Sequence, residues 1–494
     1  MRIAVYSKPE PAELMTRGKL TLLFAVLSML TVNAQDERFT AFLNDSVMKN
    51  ASVSFVVAEA GSGNIVWSFN PDLNLIPAST LKLVTSATAI ELLGPQYTFR
   101  TKIAYTGILN KRSGVLDGDL VIKGGGDPCL GSDYFSYHYG DFIGSWAEAV
   151  KNAGIKKIRG RVITDDSYFD YEPAAPRWMW EDMGVSYGAG VYGLSMFDNT
   201  CSISIRFAPG RPEAEITGTT PELPQFSFTS RLKRDADRDN WYVYSVPYSN
   251  SGWLSGTIVT DSSACTLDGS IPDPPLLAAT MLSKRLIDGG IKVAGMPSTV
   301  RIEKDISGKE STLLTETVSP LLSQITDRLN KESINLYAEH YVKELGKQFR
   351  GTGSTTEGLK VIREFLAGTG TDTTALFLED GSGLSARNGI SAAALTQLLV
   401  YMKNKSSHFQ EFYSSLPEGG SMGTLSKYFT DPLFESNLKA KSGSMTRVRC
   451  YAGYFTTQAG NDLVFCILVN NFRGSSPYII NNIEAVLKDF ILYK

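Results

Sequence analysis

One segment constrains this chain more than any other. Ser79–Leu93 (STLKLVTSATAIELL) has the length of a helix, stops at Gly94-Pro95, and carries apolar residues on most of its faces. A helix apolar nearly all round is buried, so other elements must pack on every side of it. The sequence supplies them from far apart. Ser52–Phe69 reads as two strands around a Gly61-Ser62-Gly63 turn. Arg447–Thr457 and Asp462–Phe472 read as two more, joined through Gly460-Asn461. Helical periodicity marks Leu276–Asp288, Asn335–Leu345, Thr356–Leu366, Ser391–Lys403 and Ser475–Leu492. Strands at both chain ends with helices between them predict an α/β fold whose sheet is closed by the two ends.

Between about residues 97 and 275 the character changes. Short alternating runs recur at Leu120, Arg159, Cys201, Trp241 and Gly256, separated by Gly, Asp and Pro clusters. This block reads as a β-rich insertion. At 494 residues the chain exceeds one compact core. The expected division is 35–97 with 276–494 as one domain, 98–123 with 195–275 as an inserted β-rich domain, and 124–194 as a second insertion.

The first segment reads as an address. Arg17, Gly18 and Lys19 precede the apolar run Leu20–Leu30, and Val32-Asn33-Ala34 suits signal-peptide cleavage after Ala34. Met1–Leu14 is unlike a signal, which leaves both Met1 and Met15 open as the start. No cysteine lies near Ala34 for a lipid anchor, and no other stretch approaches twenty apolar residues. The expectation is an exported protein with no membrane span after cleavage. A formal charge of −3 gives no footprint for nucleic acid. The five cysteines, Cys129, Cys201, Cys265, Cys450 and Cys466, show no metal-type spacing and are expected as free, buried thiols, although Cys450 and Cys466 lie on consecutive strands.

With only three histidines, His138, His340 and His408, a His-based triad has no persuasive setting, and neither G-x-S-x-G nor H-E-x-x-H is present. What does stand out is Ser79-Thr80-Leu81-Lys82. Serine and lysine at i and i+3 share one helix face, and burial favours a neutral lysine, the form a general base requires. Alone, S-x-x-K is common and is equally a helix cap with an exposed lysine. Ser333-Ile334-Asn335 then opens a downstream helix, and Lys441-Ser442-Gly443 begins a terminal strand. S-x-x-K, S-x-N and K-[ST]-G in that order form a strong joint signal.

On these residues the chain resembles the type-4 penicillin-binding proteins, D-alanyl-D-alanine carboxypeptidases that also act as endopeptidases. Asp72–Lys82, Gly118–Pro128, Gly160–Tyr171, Asp380–Ser385 and Gly419–Leu425 carry further family-like phrases, and the long block between Ser79 and Ser333 is itself typical. Ile334 and Ser442 stand where Asp and Thr are commonest. The resemblance implies a penicillin-recognising serine transpeptidase-like fold, an antiparallel sheet flanked by helices with inserted β-rich domains. It also implies Ser79 as nucleophile, Lys82 as base, and Ser333 and Asn335 as proton relay and lysine holder. Lys441 with Ser442, Gly443 and Ser444 would bind the substrate carboxylate, with the Ser79 and Ser444 N–H groups as oxyanion hole. The implied partners are peptidoglycan stem peptides, with β-lactams as inhibitors; the implied compartment is the periplasm, and no cofactor or metal is needed. A β-lactamase-like hydrolase differs by fast deacylation. A catalytically weak wall-binding or β-lactam-sensing protein has no need of all five motif residues. Because all three motifs lie outside it, the inserted block is expected to supply no chemical group. The aromatic run Tyr168–Trp180 is expected to pack its core.

Overall fold

The computed structural model describes residues 37–304 and 309–493; the expected export segment over 1–34 and Met15 lie outside the described residues. A five-stranded antiparallel sheet is assembled from the two chain ends. Its order is Lys439–Met445, Val448–Thr456, Asp462–Asn470, Ser52–Glu59 and Ile65–Phe69. The Ser52–Glu59 strand lies beside Asp462–Asn470 in unbroken register, Ser52 opposite Asn470 and Glu59 opposite Leu463. Both strands are buried along most of their length, so each pleat faces helices. Phe55 and Val57 point to one face with Phe465 and Ile467, and pack against Phe39, Phe42 and the terminal helix Ser476–Tyr493. Val56 and Ala58 point to the other face with Val464, Cys466 and Leu468. There they meet the helix Lys82–Leu93 and the helix Ala392–Lys405.

The central helix is buried at every position from Lys82 to Ile90, as its lack of a polar face predicts. A 3-10 turn, Ala78–Leu81, leads into it, and Gly94 ends it at a φ of 87°. Helix Asn335–Arg350 packs against it. Cys450 and Cys466 lie on neighbouring strands but two pairs out of register, since Cys466 faces Ala452 and Cys450 faces Leu468. All five cysteines are free.

The inserted block is organised differently from the expected division. Strands Arg100–Tyr105 and Leu120–Lys123 join Val162–Asp165, not the strands after residue 195. That sheet continues with Ser298–Thr299 and Thr312–Val318, beyond residue 276. Helix Pro274–Asp288 packs on it beside helix Phe142–Asn152. Periodicity identifies an amphipathic helix but not which sheet will cover its apolar face, which is why 276–318 was grouped with the chain ends. Residues 200–270 form two three-stranded sheets of their own. Among the described residues no helix is long and apolar enough to cross a membrane.

Candidate active site

The three motifs come together where the central helix, the helix Asn335–Arg350 and the edge strand Lys439–Met445 converge. Lys82 Nζ lies 2.9 Å from Ser79 Oγ, 2.6 Å from Asn335 Oδ1 and 2.8 Å from the Ser382 carbonyl. Lys441 Nζ lies 2.9 Å from Ser333 Oγ and 2.9 Å from the Ser442 carbonyl. Two residues that aim this constellation hold left-handed backbone, Ala78 at φ 46° and Ser333 at φ 60°. Such conformations cost on the order of 1–3 kcal/mol each and persist only where surrounding packing enforces them. Close approach supplies that enforcement. A Cβ on Gly443 would sit 2.5 Å from the Pro77 carbonyl, so glycine lets the edge strand lie against the turn that carries Ser79. A Cβ on Gly383 would sit 1.9 Å from the Ala78 carbonyl.

Both lysines are fully buried. Burial lowers Lys82 to about 7, against the opposing pull of the Asp380 and Glu339 carboxylates. Burial also pushes Lys441 well below its ordinary value, and the positive charge of Lys82 pushes it further. A charged Lys82 thus disfavours an ammonium at Lys441, while burial alone brings a neutral Lys82 within reach near pH 7. A buried amine of that affinity, beside a hydroxyl at hydrogen-bond distance, can remove the hydroxyl proton as the oxygen attacks.

In front of the lysines opens a cleft of about 550 Å³. Ser79, Ser333, Asn335, Ser442, Gly443 and Ser444 line its floor. Lys82 and Lys441 stand behind this floor, so Ser333 Oγ is the group through which Lys441 reaches the cleft. The other wall comes from the inserted block, as Met179, Glu181, Asp182, Tyr187 and Tyr242. The Tyr187 carbonyl even accepts a hydrogen bond from Asn335 Nδ2 at 2.8 Å. The block therefore lines the cleft and holds the Asn335 amide through a backbone carbonyl, because its loops fold back over the motif residues. In the aromatic run, Phe169 is buried as expected. Trp178 also is buried and donates to Asp380 at 2.9 Å, whereas Trp180 is half exposed against Tyr244 and Trp253.

Sequence reasoning missed four participants. Thr424 Oγ1 accepts from Ser442 Oγ at 2.8 Å, the Ser382 carbonyl accepts from Lys82, the Tyr187 carbonyl accepts from Asn335, and Glu339 accepts from the Ser382 N–H. Thr424 and Ser382 sit inside the phrases Gly419–Leu425 and Asp380–Ser385, which were the available signal. His340 is no catalyst. Its Nε2 lies 2.9 Å from Ser195 Oγ and its Nδ1 2.9 Å from the Gly126 carbonyl, in a fully buried strut that burial lowers to about 3. Among the described residues no group of three or more His, Cys, Asp and Glu could hold a metal ion.

The chain is similar to known proteins over most of its length. The model of the D-Ala-D-Ala carboxypeptidase 3 (S13) family matches residues 35–489. The chain is 29% identical over 467 residues to a D-alanyl-D-alanine carboxypeptidase of Actinomadura sp. (strain R39), covering 91% of this chain and 83% of that protein. It is 24% identical over 461 residues to the D-alanyl-D-alanine carboxypeptidase DacB of Haemophilus influenzae, covering 92% and 91%. The crystal structure of penicillin-binding protein 4 from H. influenzae superposes with a TM-score of 0.77 at 21% identity, covering 90% of this chain and 97% of that one. The same protein complexed with a β-lactam superposes at 0.73 and 20% identity, covering 90% and 97%. The fold is thus the penicillin-recognising α/β architecture with insertions.

Proposed function

Because the chain belongs to the D-Ala-D-Ala carboxypeptidase 3 (S13) family, we propose that it cleaves the D-Ala-D-Ala bond of peptidoglycan stem peptides through an acyl-enzyme on Ser79. The observation that carries this assignment is the fully buried Lys82 amine 2.9 Å from Ser79 Oγ. As Ser79 Oγ bonds to the scissile carbonyl carbon, its proton passes to neutral Lys82. The C–N bond then breaks, and Lys82 gives up that proton to the leaving D-alanine amine by way of the Ser333 hydroxyl, which Lys441 holds in place. Water next attacks the ester, Ser79 recovers its proton, and the shortened peptide leaves with a free carboxylate. The backbone N–H groups of Ser79 and Ser444 would hold the oxyanion. The terminal carboxylate of the substrate would lie against Ser442 and Ser444, where it gives Lys441 the counter-charge its burial otherwise denies. A stem cross-linked to its neighbour presents the same D-alanyl carbonyl, bonded to an amine of the neighbouring stem's diamino acid, which makes endopeptidase action the same acyl transfer with a different leaving amine. The apolar run and cleavage signal before residue 35 support a periplasmic site of action.

The β-lactam carbonyl mimics the scissile carbonyl, so penicillin should form an ester with Ser79. Mass spectrometry of tryptic peptides should place the adduct there. Ser79→Ala should abolish both the adduct and D-alanine release from a soluble D-Ala-D-Ala peptide. An adduct on Ser333, or full labelling of Ser79→Ala, would overturn the assignment.

A further inference from the structure

Lys82 Nζ has three neighbours, and all three are oxygens that can accept. A neutral amine has two N–H bonds and one lone pair. If the two N–H bonds go to the carbonyl oxygens of Asn335 and Ser382, the lone pair is left facing the Ser79 hydroxyl. The Ser382 carbonyl is thus half of what aims the base, and its place depends on a buried carboxylate. Glu339 is 2% exposed and lies one turn after Asn335 on the same helix. Its Oε1 accepts the Ser382 N–H at 2.7 Å and the Gly381 N–H at 3.0 Å. Asp380 fixes the far side of the same loop, accepting the Gly383 N–H at 2.9 Å and the Ser385 N–H at 2.6 Å. Thr85, one turn after Lys82, donates to the Gly381 carbonyl at 2.7 Å.

We propose that Glu339 is a positioning residue for the acyl transfer: it pins the Ser382 carbonyl onto Lys82 and supplies counter-charge for the ammonium that Lys82 becomes. This rests on Lys82 acting as the base for Ser79. Burying a carboxylate behind a catalytic lysine is costly, and here that carboxylate satisfies two backbone N–H groups that face away from solvent. The charged groups acting on Lys82 are Asp380 and Glu339; Glu339 in turn faces Asp380 and the buried Lys343 amine on its own helix, and Lys82 itself acts on Lys441. Asp380 and Glu339 both raise the proton affinity of Lys82, and burial with Asp380 raises Glu339 itself to about 7.

The test is the pH dependence of acylation by a chromogenic cephalosporin in the full chain. Glu339→Gln keeps an amide oxygen for both N–H groups and removes the charge. Lys82 then loses a group that favours its ammonium, so the acidic limb of the profile should move down by about half a pH unit or more. Glu339→Ala loses the clamp as well, and should lower the acylation rate about tenfold or more across the profile. If Glu339→Ala does not fold, the limb in Glu339→Gln still decides. A limb that stays at the wild-type position in a folded Glu339→Gln overturns the proposal. Ser79→Ala separates this failure from failure of the underlying mechanism: it must be inert in the same assay, and acylation of that variant would sink the mechanism itself.

Discussion

The two walls of the cleft are built on opposite physical terms. The floor, from the chain ends, sets its chemistry on groups with no solvent exposure, Lys82 and Lys441, backed by buried Glu339 and Asp380. The facing wall, from the insertion, presents Met179 and Tyr187 at 46% and 47% exposure. Desolvation lowers a lysine's proton affinity until the amine can be neutral, and so accept a proton, near pH 7, which requires the amines to be enclosed. A surface that greets peptides must keep its area open to water until they arrive. The difference teaches that this site separates reactivity from recognition by burial, with Trp178 and the Tyr187 carbonyl tying the two walls together.

The comparison is broken most directly at Lys441. If the floor carries the chemistry, Lys441→Ala should slow acylation about ten- to a hundredfold, the loss expected for one charge-assisted contact. Circular dichroism should show an unchanged fold, and unchanged stopped-flow acylation kinetics would contradict the assignment. A smaller effect is expected at the tie between the walls. Trp178→Phe leaves a buried Asp380 oxygen one donor short, which should lower unfolding free energy by about 1–2 kcal/mol in a denaturant titration. Stability equal to wild type would mean that the walls are held together by other contacts. The smallest effect belongs to the open wall. Tyr242→Ala should raise KM for a stem pentapeptide about two- to fivefold and leave acylation by a small β-lactam within about twofold. A large loss with both substrates would place chemistry, not recognition, on the insertion.

Much of this was legible along the chain. The apolar periodicity of Ser79–Leu93 is intrinsic to that segment, and no folded context was needed to infer a buried helix carrying Ser79 and Lys82. The unbroken apolar run through Asp462–Asn470 likewise announced a strand buried on both faces. The grouping of residues 276–318 was not legible, because the short strand Ser298–Thr299 gives no period and pairs with Val162–Asp165 only in three dimensions. Glu339 was equally hidden, since one acid on an amphipathic helix ordinarily faces water.

Sequence alone determined which residues could react: a serine one helical turn from a lysine, an S-x-N and a K-S-G, in an order that chance seldom produces. It also determined the α/β class, through strands at both ends of the chain. Only the tertiary structure decided that Lys82 would be a buried amine at hydrogen-bond distance from Ser79 and not a surface cation. That depends on the removal of water by the Asn335–Arg350 helix, the Lys439–Met445 strand and the Asp380–Ser385 loop, and desolvation is a property of all the elements around a group. For the same reason only the folded chain could bring Asp182 and Tyr187 to the far side of the cleft from Ser79. Local sequence fixes covalent chemistry and periodicity, whereas long-range packing fixes the dielectric surroundings and the facing partner.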